Sequence, residues 1–351
     1  MPVVEVVGTE SSGVLPATRA ARERVPRRPA GIDPTVPFEP ISIGWNPLAD
    51  RLGSISRVIS GRLRLNRLTP ALLRRRHPGP LDEGRAGAQL AREAGSLRVA
   101  VIGDYGDGDS RVARRIAAQV AAHRPGAVAT VGDNVYPVGS ERDWRRGFDP
   151  PDLYGALARR VRFHPALGNH DYYAGDLRPY FRRFPHLQGR PYYAWRAGEV
   201  DLFVLDTEQR LDAGSAQLAW LGAQLAASRA PYRVVQLHRP PWSSAGAEQP
   251  PSWRGDLGAV LARHGVQLVL AGHEHSYERT QPIEGVTYVV AGGGGASIFP
   301  FRAAQPAWSA LRSRRSHFVE LEQQRERLVV RAIDADGAVF DTVALAPRPI
   351  A

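Results

Sequence analysis

Short apolar runs, each closed by a glycine or a polar cluster, recur through most of this chain. Leu97–Ile102, Ala127–Val131, Tyr232–Leu237 and Val266–Ala271 are short and rich in β-branched residues, and so read as buried strands. Asp201–Asp206 and Thr287–Ala291 add two more. A helical periodicity runs between them. Ser110–Ala122 carries Val112, Ile116, Ala117 and Val120 on one stripe, with Ser110 placed to cap it. Ser215–Ser228 repeats the pattern through Leu218, Leu221 and Leu225, and Gly255–His264 is a third, shorter candidate. Near the C-terminus strict alternation takes over. His317–Glu322, Leu328–Ile333 and Val339–Leu345 predict antiparallel strands joined by short turns. Alternating strands and helices followed by strands alone predict an α/β fold of sheets covered by helices, without internal repeats.

Residues 1–96 follow a different pattern. Pro, Gly, Ser and Arg dominate up to about Pro40, which predicts a stretch without its own core. Leu48, Leu52, Ile55, Ile59 and Leu63 then recur at helical spacing ahead of Arg74-Arg75-Arg76. A basic amphipathic helix can lie on an anionic membrane or dock on a partner, although packing on its own domain is the commoner outcome. This extension holds 15 Arg against 9 acidic residues. Residues 97–346 form the expected main domain.

Composition narrows the chemistry. With 351 residues, 43% hydrophobic and 23% charged, the chain suits one large globular domain with an extension. All 46 basic residues are Arg, and the net charge is +11. Uniform use of Arg reads first as a coding preference, yet the positive field favours encounters with anions. Basic residues are dispersed and no nucleic-acid motif accompanies them, so specific nucleic-acid binding is not expected. The lack of cysteine excludes disulfides, thiolate metal sites and a cysteine nucleophile. Met1–Ala30 carries no apolar run of the signal-peptide kind and no segment reaches membrane-spanning length. The default expectation is therefore cytoplasmic, with export open.

The polar clusters carry the functional signal. They are Asp104-Tyr105-Gly106, Gly132-Asp133-Asn134-Val135-Tyr136, Gly168-Asn169-His170-Asp171, Val235-Gln236-Leu237-His238, Gly272-His273-Glu274-His275 and Ser276-Tyr277-Glu278-Arg279. Ligands of open α/β sheets bind beyond the carboxyl ends of strands, so clusters at those ends gather on one rim. Carboxylate and phenolate suit a trivalent ion, whereas imidazole and amide oxygen suit a divalent one. Asp104, Asp133 and Tyr136 offer the first kind of donor; Asn169, His238, His273 and His275 offer the second. His273 and His275 share a face if the segment is extended, and could serve two neighbouring ions. Gly292–Gly295 lacks the lysine or GxGxxG context of a phosphate loop and reads as a tight strand exit near the site.

As an ordered set, Asp104-x-Gly106, Gly132-Asp133-x-x-Tyr136, Gly168-Asn169-His170-Asp171, Val235-x-x-His238 and Gly272-His273-x-His275 resemble the purple acid phosphatases of the calcineurin-like metallophosphoesterase superfamily. Tyr277-Glu278-Arg279 and Tyr288–Gly294 are similar to that family too, and the resemblance spans about Leu97–Leu345. Many relatives have His where Gly106 stands; its loss together with the presence of Tyr136 favours the iron-tyrosinate branch. The resemblance implies a four-layer α-β-β-α sandwich of two mixed sheets with an N-terminal extension. It implies that Asp104, Asp133, Tyr136 and His275 hold Fe3+, and that Asp133 bridges to a divalent ion (Fe2+, Zn2+ or Mn2+) held by Asn169, His238 and His273. Three anionic ligands against such a pair leave roughly two positive charges to draw a phosphate dianion.

The activity implied is hydrolysis of phosphorylated small molecules, namely phosphate monoesters, by in-line attack of a metal-bound hydroxide. His170 would contact phosphate and protonate the leaving group, with Asp171 orienting its ring. Three departures stand out. The further His that several relatives carry soon after the Val-x-x-His block is absent from His238-Arg239-Pro240-Pro241-Trp242-Ser243-Ser244. Asp171 replaces the common Glu. The first 96 residues do not read as the β-sandwich domain of the large plant enzymes. A phosphodiesterase using the same centre is the alternative within catalysis, and a catalytically weak binding scaffold is the distant one.

Overall fold

The apolar runs become the central strands of two stacked sheets. The computed structural model describes residues 28–40, 98–245, 250, 253–301, 304–324 and 326–348; the helical stripe expected over residues 48–63 and the arginines at 74–76 lie outside them. In chain order the strands are β1 (Arg98–Ile102), β2 (Ala127–Thr130), β3 (Arg162–Pro165), β4 (Tyr193–Ala197), β5 (Val200–Val204), β6 (Tyr232–Gln236) and β7 (Leu268–Ala271). They continue as β8 (Tyr277–Thr280), β9 (Thr287–Ala291), β10 (Ser309–Ser313), β11 (His317–Gln324), β12 (Arg327–Asp334) and β13 (Val339–Leu345). One sheet runs β13-β12-β11-β1-β2-β3 and the other β10-β8-β9-β7-β6-β5-β4. Both are mixed: β1, β2 and β3 are parallel neighbours, as are β5, β6, β7 and β9, while the flanking pairs are antiparallel.

Alternation along each strand explains the layering. Leu202 and Val204 of β5, Val234 of β6 and Leu268 and Leu270 of β7 enter the core shared with the first sheet. Their neighbours Phe203, Val235 and Val269 face the other way, onto Leu218, Leu221 and Leu225 of the helix Ala216–Ala227 and onto Leu257 and Leu261. Burying each such side chain contributes about 1.5–3 kcal/mol. The helix Arg111–Ala122 supplies Ile116, Ala117 and Val120 to the first core. The result is the four-layer α-β-β-α sandwich. The expected cap forms, with Ser110 Oγ accepting from the Ala113 amide, and Ser215 Oγ caps the second helix in the same way through the Leu218 amide. The third helical candidate begins earlier than expected, with a π-helical turn at Trp253–Leu257 leading into Gly258–Arg263.

The sheets are pinned together where their parallel strands end. Gln236, fully buried on β6, donates from Nε2 to the carbonyls of Thr130 on β2 and His164 on β3, both at 2.6 Å. Residues 28–40 lie against the domain: Ala30 pairs with Asp176, Pro40 with Gln209, and Ile32 joins the main core. The composition of this stretch does not predict that contribution, because only Ile32 and the half-buried Phe38 carry it. Among the described residues no helix is long and apolar enough to cross a membrane.

Candidate metal centre

Five chain segments that leave parallel strands converge on one rim. Asp104 follows β1, Asp133 and Tyr136 follow β2, Asn169 and His170 follow β3, His238 follows β6, and His273 and His275 follow β7. Three of these residues, Asp104, Asp133 and His273, have left-handed backbones with φ of 56°, 49° and 68°. Non-glycine residues adopt that region at a cost and concentrate it at functional sites.

The donors fall into two groups that share Asp133. In the first, the Tyr136 hydroxyl lies 3.2 Å from Asp104 Oδ1, from Asp133 Oδ2 and from His275 Nε2, and His275 Nε2 is 3.3 Å from Asp104 Oδ1. In the second, His238 Nε2 lies 3.0 Å from Asn169 Oδ1, 3.4 Å from Asp133 Oδ1 and 3.3 Å from His273 Nδ1. Asp133 thus turns one oxygen toward each group. All seven sequence-predicted ligands meet here.

The chemistry of these donors fits a pair of cations. His238 Nδ1 faces the Val131 carbonyl and His275 Nδ1 the Ser297 carbonyl, each at 2.8 Å. A carbonyl only accepts, so each ring carries a proton on Nδ1 and turns Nε2 into the site. Asn169 Nδ2 donates to the Tyr173 hydroxyl at 2.7 Å, which leaves Oδ1 pointing inward. Burial, with the adjoining Arg239 guanidinium, holds His273 well below the ordinary imidazole range, so it stands neutral. The lone pairs of Asn169 Oδ1, His238 Nε2 and Asp133 Oδ1 therefore converge as in a cation's coordination shell. Burial and the Asp133 and Asp104 carboxylates push the Tyr136 phenol well above its usual value, so only a strongly charged ion would draw off its proton.

Two expectations change. His273 and His275 do not share the face of a strand, since β8 begins only at Tyr277 and the left-handed turn at His273 sends the two rings to different donor groups. Asp171 does not orient His170. They are neighbours on the short helix Asn169–Tyr172, where consecutive side chains diverge by about 100°. The Asp171 carboxylate turns inward and accepts from the Gly168 amide and from Asn134 Nδ2, and burial with the Asp133 charge pushes its pKa up to about 7. It holds a loop. His170 Nδ1 bonds instead to the Pro137 carbonyl at 2.7 Å, leaving Nε2 3.9 Å from Asp133 Oδ2, on the site side.

Two residues of the polar clusters that had no assigned role hold the geometry. Asn134 accepts from Tyr105 and Thr130 and donates to the Ala166 carbonyl and to Asp171, joining the Asp133 loop to the Asn169 loop. Glu278, fully buried on β8, takes Ser243, Ser244 and Ser309 hydroxyls and so fixes the segment beyond His238. A Cβ at Gly106 would sit 2.0 Å from the Asn134 carbonyl oxygen. A histidine cannot occupy that position while the loop that delivers Tyr136 is packed against it, so the two departures are one structural exchange. A Cβ at Gly168 would likewise lie 2.3 Å from Asp133 Oδ1. The Gly292–Gly294 exit does border the site, as expected: a Cβ at Gly292 would come within 2.9 Å of Asp104 Oδ2.

The sequence pattern of calcineurin-like phosphoesterases matches residues 97–277, more than half of the chain. The chain belongs to that family. It is a metallophosphoesterase, a hydrolase acting on phosphoric ester bonds, and the family works with metal ions in pairs. Tartrate-resistant acid phosphatase type 5 of Rattus norvegicus is 28% identical over 252 residues, which cover 59% of this chain and 75% of that protein. The purple acid phosphatase PPD1 from yellow lupin (Lupinus luteus) seeds superposes with a TM-score of 0.66 at 22% identity, covering 72% of this chain and 54% of that one. GAP50, the anchor in the inner membrane complex of Plasmodium, superposes with a TM-score of 0.60 at 18% identity, covering 72% and 90%. At such identities a superposition speaks for the fold. One fold serves a phosphatase and an anchor, so the residues of the site must carry the functional argument.

Proposed function

We propose that this protein is an acid phosphatase of the purple type, hydrolysing phosphate monoesters of small molecules at a Fe3+–M2+ pair, where M is Fe, Zn or Mn. One observation carries the reading: the Tyr136 phenol lies 3.2 Å from two carboxylates and an imidazole, while Asp133 turns its other oxygen to a neutral Asn-His group. Asp104, Asp133, Tyr136 and His275 would hold the ferric ion. Asp133, Asn169, His238 and His273 would hold the divalent one. When bound, the pair supplies positive charge for the phosphoryl oxygens and an acidified water as nucleophile. His170 is the proton donor. Its Nδ1 is tied to Pro137, so Nε2 is the atom that contacts phosphate and delivers a proton to the departing alkoxide. Residues 97–346 form the catalytic unit and 1–96 a basic extension of it.

A visible absorption spectrum with elemental analysis tests the assignment. A tyrosinate-to-ferric charge-transfer band is expected in the purified protein, and its disappearance in Tyr136→Phe locates the iron. A colourless, fully active protein with two divalent ions would overturn the iron assignment and leave the hydrolase. Faster turnover of a bis-aryl phosphate than of the aryl monoester would replace a monoesterase with a diesterase.

A further inference from the structure

Arg239 follows His238 directly, at the end of β6, in the stretch where the expected second histidine is missing. Its guanidinium is mostly buried, at 15% side-chain exposure, and is anchored on Glu208: Nε bonds to Oε1 at 2.7 Å and Nη2 to Oε2 at 3.4 Å. Nη1 lies 3.0 Å from His273 Nε2, the second nitrogen of the ring whose Nδ1 enters the donor group. A guanidinium has five N–H donors. These contacts use three, which leaves one N–H on each terminal nitrogen. Glu208 balances the guanidinium charge, so the pair stands neutral beside the donor groups while the remaining N–H donors stay available to an anion.

We propose that Arg239 binds the phosphoryl group of substrate and product, taking the place of the missing histidine and favouring monoester dianions over diesters. This rests on the phosphoesterase reading above. Glu208 fixes the planar group, and the free N–H donors meet a terminal phosphoryl oxygen in charge-assisted hydrogen bonds. The hydrogen bond from Nη1 to His273 Nε2 holds the guanidinium beside this residue and leaves the second Nη1 N–H free. Counting oxygens gives the preference. A monoester has three terminal oxygens and a diester two, so with two facing the ions only the monoester retains one for Arg239. Because guanidinium does not titrate in the working range, the contact persists at any pH at which the protein folds.

The test compares the metal-loaded wild type with Arg239→Gln, Arg239→Lys and the charge-balanced Glu208→Gln/Arg239→Gln pair. Metal content is read by elemental analysis, orthophosphate affinity by calorimetry, and turnover on an aryl phosphate and its bis-aryl diester. Arg239→Gln is expected to keep both metals and bind orthophosphate about tenfold or more weakly. Its kcat/KM should fall by a similar factor on the monoester and by less than about threefold on the diester, with Arg239→Lys between it and the wild type. If Arg239→Gln does not fold, the double variant carries the comparison, since it leaves no unpaired carboxylate. Unchanged orthophosphate affinity with both metals in place, or equal losses on the two substrates, would overturn the role of Arg239 alone. A metal-loaded wild type that binds no orthophosphate would overturn the phosphoesterase reading together with it.

Discussion

The two donor groups that share Asp133 are built from different chemistry and different parts of the fold. Beside Asp133, the first draws Asp104 and Tyr136 from loops of one sheet and only His275 from the other. Two of these three are acids. The second takes His238 and His273 from the opposite sheet and Asn169 from the first, and all three are neutral. An acidic group concentrates negative charge for a strongly charged ion, and a neutral one suits a softer divalent ion. The second group also depends more on how the sheets register, because Gln236 ties β6 to β2 and β3 just before His238. One carboxylate between unlike neighbours therefore makes two unlike sites.

The sharpest way to break the contrast is to remove the shared residue. Asp133→Ala should lose both ions by elemental analysis and lower kcat/KM by about 10⁴-fold or more, since a bridging anion goes with its ions. Retention of either ion at full occupancy would show that the groups are independent. Next, His238→Ala should lose only the divalent ion while the tyrosinate band persists, with turnover down about 10³-fold. A band lost together with that ion would mean that Tyr136 and His238 serve the same metal.

His170 touches the first group through the Tyr136 ring, 4.5 Å away centre to centre, yet belongs to neither. His170→Ala should keep both ions and lower kcat by about 10²-fold, the range of general acid catalysis. Unchanged turnover would remove His170 from the chemistry. The last effect, on stability and not on turnover, lies behind the first group. His317 is fully buried, donates through Nδ1 to the Arg315 carbonyl, and packs under Gly293 in the glycine exit beside Asp104. Burial lowers its pKa to about 4 from the ordinary 6.5. The folded state thus resists a proton that the unfolded chain accepts. The stability this provides is complete above pH 6.5 and is lost as pH falls toward 4, about 3 kcal/mol in all. Urea midpoints at pH 7 and 4.5 should show that loss in the wild type and a shallower one in His317→Gln; parallel slopes would discard it.

Much of this fold is legible along the chain because burial imposes periodicity locally. The β-branched runs that became β1, β2, β6 and β7, and the serines that cap the helices Arg111–Ala122 and Ala216–Ala227, needed no tertiary information. The strands β3, β4, β8 and β10 escaped notice. Arg162-Phe163-His164-Pro165 is polar at two of four positions and ends in proline, and is a strand only because β2 supplies its hydrogen-bonding neighbour. Tyr277–Thr280 reads as a charged cluster, and its Glu278 is buried only because three serine hydroxyls, brought in from other segments, surround it.

The site divides in the same way. Residue type and order determined which side chains could bind metal, since donor softness and protonation are properties of a side chain wherever it sits. Direction was decided by the tertiary structure. Asp171 adjoins His170 in sequence yet turns to Asn134, and His273 and His275 are two residues apart yet enter different groups. Arg239 and Glu208 are 31 residues apart and meet because β5 and β6 are parallel neighbours whose carboxyl ends share one rim. Donor chemistry is local and survives in the order of letters, whereas orientation depends on backbone turns and sheet packing that only the folded chain supplies.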